Sequence, residues 1–222
     1  MTFLALAELA ESRDQETGRH LVRIRSYSQI LAEELQMLQR PGYEVDDAFL
    51  ADLYRASPLH DIGKVGVPDA ILQKPGKLND AEIRVMRQHV EFGAATLERA
   101  MGRGHAGEFL QMVAGVARFH HERWDGSGYL AGLAGTDIPL AARIVALADV
   151  FDALTSRRVY KDSMSVEETC EMIRSDSGAH FDPTVVAAFD AGISRFLEVV
   201  AEHAVSIEAA SDLSPARLVE VS

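Results

Sequence analysis

Apolar residues recur along this chain at the three-and-four spacing of helices, and no stretch shows the two-residue alternation of a strand. Leu21, Ile24, Ser28, Leu31 and Leu35 form one helical face that ends near Pro41-Gly42. Asp46-Asp47 can cap a second helix through Leu50, Leu53 and Ala56, which Pro58 interrupts. Asn79 followed by Glu82 has the form of a capping box and predicts a helix running to about Arg99. Residues 107–121 read as another helix. The stretch 124–137 holds glycines at 126, 128, 132 and 135 and reads as a loop. Leu140, Ile144, Leu147, Phe151 and Leu154 make a strong apolar stripe. Ser165 with Glu168 repeats the capping-box spacing, and Asp182-Pro183 offers a cap and a first-turn proline for a last helix towards Val200. Beyond about His203, Ala-, Ser- and Glu-rich sequence with Pro215 reads as a loosely held tail. The pattern predicts an all-α fold: one domain over residues 1–202 and a C-terminal tail over 203–222.

At 222 residues the chain can bury one full core. A hydrophobic fraction of 47% and a mean hydropathy of −0.03 fit an ordinary soluble protein. The net charge of −12 argues against non-specific binding to DNA or to an anionic membrane. A phosphorylated substrate would therefore need local cations. The single cysteine, Cys170, excludes an internal disulfide and reads as a buried structural thiol. No apolar run approaches the roughly 18 residues of a membrane span. The start, Met1-Thr2-Phe3-Leu4, lacks the flanks of a signal peptide, so the expected location is cytoplasmic.

The chemistry concentrates in two stretches, His60-Asp61-Ile62-Gly63-Lys64 and His120-His121-Glu122-Arg123-Trp124-Asp125-Gly126-Ser127-Gly128-Tyr129. Adjacent His-Asp and His-His pairs are awkward in a core, because every ring or carboxylate needs a polar partner. Glu16 and His20 lie one helical turn apart and can share an ion. His60 and Asp61 would diverge by about 100° on a helix. They converge only if an ion lies between them or if the carboxylate bridges two. Lys64, one turn on, can reach a phosphate oxygen held there. His89 stands mid-helix in this reading, and Asp149 sits in an apolar run where an unpaired carboxylate would be costly. Imidazole and carboxylate without thiolate suit iron, manganese or zinc better than calcium. Trp124 reads equally as a stacking surface for a base or as a packing anchor. His105, His180 and His203 read as structural or solvent-exposed.

Taken together, Glu16-Thr17-Gly18-Arg19-His20, the two stretches above, His89 and residues 144–161 resemble the HD-GYP family over residues 5 to 200. The resemblance implies a single HD-type helical bundle with a buried di- or trinuclear metal site. It implies a metal-dependent phosphodiesterase that hydrolyses the bacterial second messenger cyclic di-GMP to linear pGpG, with a further cut to GMP if a third ion is held. His20, His60, Asp61, His89, His120, His121 and Asp149 become ligands of two or three divalent ions (Fe or Mn, with Zn as the alternative). Asp61 bridges, and Glu16 holds the third. Lys64, Arg158 and Lys161 match residues expected to hold the substrate phosphates. Asp14 and Asp152 match polar positions near the site, and Gly128 and Tyr129 match the loop that approaches the dinucleotide.

Family members are often joined to a receiver or sensor domain, and none is read before residue 1. Such a domain, or a diguanylate cyclase (GGDEF) domain, is an expected partner, and a homodimer is left open. One departure stands out: where the family signature is Gly-Tyr-Pro, this chain has Gly128-Tyr129-Leu130. Leucine restores a backbone donor and frees the φ that proline would fix. The expected chemistry is in-line attack on phosphorus by a water activated between two ions, with Asp61 and Lys64 central and the ribose 3′ oxygen departing. Two readings compete with this one. The first is an HD-type phosphohydrolase acting on another cyclic nucleotide; the second is a cyclic di-GMP sensor or adaptor without turnover.

Overall fold

The computed structural model describes residues 2–13, 19–101, 107–156 and 164–211. Helix α1 spans Thr2–Glu11, α2 Arg19–Leu38 and α3 Asp47–Ala56. Two 3-10 turns, Ser57–Leu59 and Ile62–Gly66, flank the His-Asp pair, and α4 is a single turn, Asp69–Leu72. Then come α5 (Asp80–Arg87), α6 (His89–Met101), α7 (Glu108–Phe119) and α8 (Leu140–Thr155). Finally, α9 spans Val166–Ser175 and α10 spans Pro183–Ser211. No strand forms among the described residues beyond an isolated bridge between Ser177 and Phe181. None of their helices is long and apolar enough to cross a membrane.

The face predicted from Leu21 to Leu35 becomes the centre of the bundle. Helix α2 packs against α10 and α8 and also touches α3. Tyr27 stacks on Phe196 with ring centroids 4.6 Å apart and meets Phe151 edge-on at 5.1 Å. Phe189 completes this fully buried aromatic group. Each such side chain contributes about 1.5–3 kcal/mol through burial. Cys170 lies in the same core, as a buried structural thiol should. A smaller cluster of Ala7, Leu21, Ala56, Leu59 and Val113 seats α1 on the bundle, with Phe3 against Phe109 at 4.8 Å.

Both predicted capping boxes form, at Asn79 with Glu82 and at Ser165 with Glu168. The single helix expected from Asn79 to Arg99 is two. The chain tightens at Gln88, whose N–H donates to the carbonyls of Val85 and Met86, and α6 starts afresh at His89. Gln88 is a good helix former, so the sequence carries no stop signal there. The break lies instead at a tertiary contact. Gly63 approaches the backbone of α6 so closely that a Cβ on it would lie 1.8 Å from the His89 carbonyl oxygen. Gly63→Ala must therefore push the 62–66 turn off α6. The expected cost is about 1–3 kcal/mol, with weakened metal uptake because His60, Asp61 and His89 no longer register. Thermal unfolding together with metal content checks this. At the other end, α10 continues past His203 to Ser211.

Candidate metal centre

Five helices or turns deliver the polar residues to one place. His20 sits in the first turn of α2, and His60 and Asp61 lie between the two 3-10 turns. His89 opens α6, His120 caps the end of α7 with His121 behind it, and Asp149 and Asp152 project from α8. Their donor atoms fall into two groups, Asp61-His89-His120-His121 and His20-His60-Asp149, each within 4.8 Å of one another. Asp61 lies where the groups meet. Its Oδ1 is 3.0 Å from His89 Nε2 and 3.7 Å from His120 Nε2. Its Oδ2 faces His60 Nε2 at 3.4 Å and Lys64 Nζ at 2.9 Å. Asp149 Oδ1 lies 3.9 Å from both His20 Nε2 and His60 Nε2.

The far nitrogens explain why the near ones point inward. His60 Nδ1 lies 3.0 Å from the Ser57 carbonyl, His89 Nδ1 2.9 Å from that of Met86, and His120 Nδ1 3.0 Å from that of Val116. A carbonyl can only accept, so Nδ1 carries the proton in each ring and Nε2 presents its lone pair to the centre. In His20 the Asp152 carboxylate, 2.7 Å from Nδ1, takes the same part. The Nε2 atoms of His60, His89 and His120 and the Asp61 Oδ1 are buried and make no hydrogen bond. Leaving such acceptors unmatched costs about 1–3 kcal/mol apiece. A divalent cation in each group would satisfy them, so the donor set fits a metal.

Electrostatics favours the same occupant. Burial pushes the His60 imidazole down to about 4, so at neutral pH it is uncharged and able to ligate. Burial, reinforced by His120, also holds His121 well below the usual histidine range. For Asp61, burial works upward, but Lys64 and His60, with contacts from His120 and His89, hold the carboxyl well below its ordinary range. A neutral His60 and His121 beside an ionised Asp61 are protonation states that metal binding requires. At His89 burial works downward, but the Asp61 contact raises the imidazole above its ordinary value.

The HD domain family model matches residues 5–185. This chain belongs to the HD domain family. A cyclic di-GMP phosphodiesterase of Vibrio cholerae is 46% identical over 203 residues, covering 90% of this chain and 41% of its own. A 3′3′-cGAMP-specific phosphodiesterase 2 of the same organism is 43% identical, over 82% of this chain and 32% of that protein. The crystal structure of a V. cholerae cyclic GMP-AMP specific phosphodiesterase superposes with a TM-score of 0.59 at 20% identity. That match covers 88% of this chain and 50% of the other and speaks to the fold. The chain thus spans less than half the length of these two curated relatives.

Within this HD domain, the sequence-predicted residues separate by placement. His20, His60, Asp61, His89, His120, His121 and Asp149 converge, and Lys64 stands beside Asp61. Asp14, Glu16, Arg158, Lys161 and His105 lie outside the described residues. Asp152, matched in sequence to a polar position near the site, is fully enclosed. Arg23 holds it with Nε 2.5 Å from Oδ1 and Nη2 2.9 Å from Oδ2, while His20 contacts Oδ2. Its observed contacts are those of a support for His20. Trp124 is half-buried, with the Arg143 guanidinium over its ring at 5.8 Å and backbone bonds to His180 and Gly135.

Arg23, Glu122 and Arg87 were missed by sequence reasoning. Glu122 is buried, and its Oε1 accepts from the backbone N–H groups of Ala131 and Gly132 at 2.9 and 3.3 Å. It thereby folds the glycine loop back over the end of α7. The loop lies so near that a Cβ on Gly128 would come within 2.6 Å of the Arg123 nitrogen. The signal for Glu122 was present as an acid directly after two candidate ligands, but its partners are backbone atoms nine and ten residues away.

Leu130 adopts φ +84°, in the region that side chains avoid. Proline, confined near φ −65°, cannot take this conformation, so the departure from Gly-Tyr-Pro and the loop geometry agree. Leu130→Pro should rebuild the loop and change KM more than kcat, whereas Leu130→Gly should relieve strain and stabilise the domain by about 1 kcal/mol. Steady-state kinetics and thermal unfolding of both variants check this.

Proposed function

We propose that this HD domain is a metal-dependent cyclic di-GMP phosphodiesterase. The observation that carries the reading is Asp61, with one carboxylate oxygen facing each of two imidazole-rich ligand groups. The relative named a cyclic di-GMP phosphodiesterase, 46% identical over 90% of the chain, supports the substrate. The ligands proposed are His20, His60, Asp61, His89, His120, His121 and Asp149, with Glu16 for a third ion. Nitrogen and oxygen donors without thiolate favour iron or manganese, with zinc as the alternative.

When bound, the ions supply an activated water and neutralise charge on the phosphodiester. The chain's own residues do the rest. Lys64 Nζ, fixed by Asp61, offers a cation to a phosphoryl oxygen beside the centre. Arg158 and Lys161 are the further phosphate contacts proposed. These cations supply locally the positive field that a chain of net charge −12 lacks overall. Gly128 and Tyr129 bring the loop against the dinucleotide. The cut frees a ribose 3′ oxygen and gives linear pGpG, with GMP as the second product if the third ion is held. A GGDEF domain, or a receiver or sensor domain, is the partner class proposed, and the site is read as working in the cytoplasm.

The relative named a 3′3′-cGAMP-specific phosphodiesterase favours a second reading, in which the mixed dinucleotide is the substrate. Turnover after anaerobic reconstitution with iron or manganese, against a panel containing both dinucleotides, separates the two. Faster cyclic di-GMP hydrolysis is expected. A metal-loaded protein that binds cyclic di-GMP without cleaving it would sink the enzymatic reading in favour of a sensor.

A further inference from the structure

Four of the five imidazoles at the centre are oriented through Nδ1: three by a backbone carbonyl and His20 by Asp152. His121 is the exception. Among the described residues, neither of its ring nitrogens forms a hydrogen bond. Three rings touch it instead: His120 at 4.1 Å between centroids, His89 edge-on at 5.3 Å, and Tyr129 stacked on it at 4.8 Å with planes at 29°. Tyr129 in turn carries the Arg87 guanidinium over its ring at 4.6 Å. Arg87 is the last residue of α5 and is exposed, so its charge stays hydrated while its flat face packs on the phenol ring. The column runs from solvent through Arg87 and Tyr129 to His121, whose ring lies 4.1 Å from that of His120.

We infer that Tyr129 and Arg87 are positioning residues for His121, so that the glycine loop sets the metal affinity of the Asp61-His89-His120-His121 group. A ring without a hydrogen bond is confined by packing alone, and of the three rings around His121 only Tyr129 comes from outside the converging histidines and lies face to face with it. The loop is firm enough for the task, because Glu122 fastens its far side at Ala131 and Gly132 and Gly128 lies against the backbone of residues 122 and 123. The same phenol ring is the part of the loop proposed to meet the dinucleotide. A contact that shifts Tyr129 therefore reaches a ligand of one group, whereas the His20-His60-Asp149 group keeps its own anchors. The inference rests on the proposed metal centre and makes a prediction about metal binding apart from turnover.

The test is Mn²⁺ titration of the metal-stripped full chain, followed by calorimetry and by the EPR signal of bound Mn²⁺. The wild type should take up at least two ions. In Tyr129→Ala one ion should bind about 10- to 100-fold more weakly, the range seen when a residue that orients a ligand is lost. Arg87→Ala, at an exposed site with little bearing on folding, should weaken that same ion about two- to fivefold. Tyr129→Phe keeps the ring and should match the wild type within about twofold in that affinity. Unchanged Mn²⁺ affinity and count in Tyr129→Ala would overturn the inference, as would a Tyr129→Phe variant as weak as the alanine one. A wild type that binds fewer than two ions would overturn the metal-centre reading itself, and this inference with it.

Discussion

Asp61→Asn should abolish phosphodiesterase turnover, by about 10³-fold or more, and strip most of the bound metal while leaving the helical content unchanged. The substitution preserves shape and volume but removes the one charge that both ligand groups share. Asp61 Oδ1 and Oδ2 stand 3.0 Å from His89 Nε2 and 3.4 Å from His60 Nε2. His60 and His121 are neutral donors through burial. An amide offers one oxygen and no charge, so it can neither hold two ions nor offset their repulsion. It also deprives Lys64 of the carboxylate 2.9 Å away. Folding should survive, because the rings keep their anchors on Ser57, Met86, Val116 and Asp152. Elemental analysis and circular dichroism decide the matter. An Asp61→Asn protein with full metal content and activity would refute the bridging role.

Asp182→Ala should destabilise the domain by about 3–5 kcal/mol, the cost of leaving a buried charge without its partner. For a chain of this size that corresponds to a fall in Tm of roughly 10 °C or more. Asp182 is almost fully buried, as is the Arg143 guanidinium, whose Nη1 lies 2.5 Å from Asp182 Oδ2. The other oxygen accepts from the Tyr43 hydroxyl at 3.0 Å and from the Thr184 backbone N–H at 2.7 Å. One side chain therefore caps α10, neutralises α8 and fastens the loop before α3. In Asp182→Ala, Arg143 retains only its Nε bond to the Ile138 carbonyl, at 2.8 Å, among these contacts. Replacing both partners, as Asp182→Ala with Arg143→Met, should recover part of the loss, because no buried charge is then stranded. Equal stability of the single variant and the wild type would show that the pair contributes nothing.

These two residues differ in how far the sequence announces them. Asp61 stands in a recognisable stretch beside His60. Asp182 was legible only as a helix cap before Pro183; its part as the partner of a buried arginine 39 residues earlier in the chain was not. The same boundary recurs elsewhere. The capping boxes at Asn79 and Ser165 form as written, because their partners lie three residues away. The break at Gln88 went unread, because it coincides with a close approach of Gly63 to α6 rather than with a local signal. Asp152 matched a polar position near the site, but only the fold places it between Arg23 and His20. Arg87 carried no motif, and only the folded chain sets it over Tyr129.

The sequence by itself determined the helical class, the caps, the buried thiol and which side chains are proposed as metal ligands. Each of these follows from periodicity or from chemistry confined to a few neighbouring residues. Tertiary structure alone decided that Asp61 faces two ligand groups at once, and which carbonyl fixes the tautomer of His60, His89 and His120. It also decided that the loop bearing Leu130 is one proline could not adopt. The reason is physical: where lone pairs point and which carboxylate is shared depend on close contacts between distant parts of the chain. Those contacts exist only once the helices have packed.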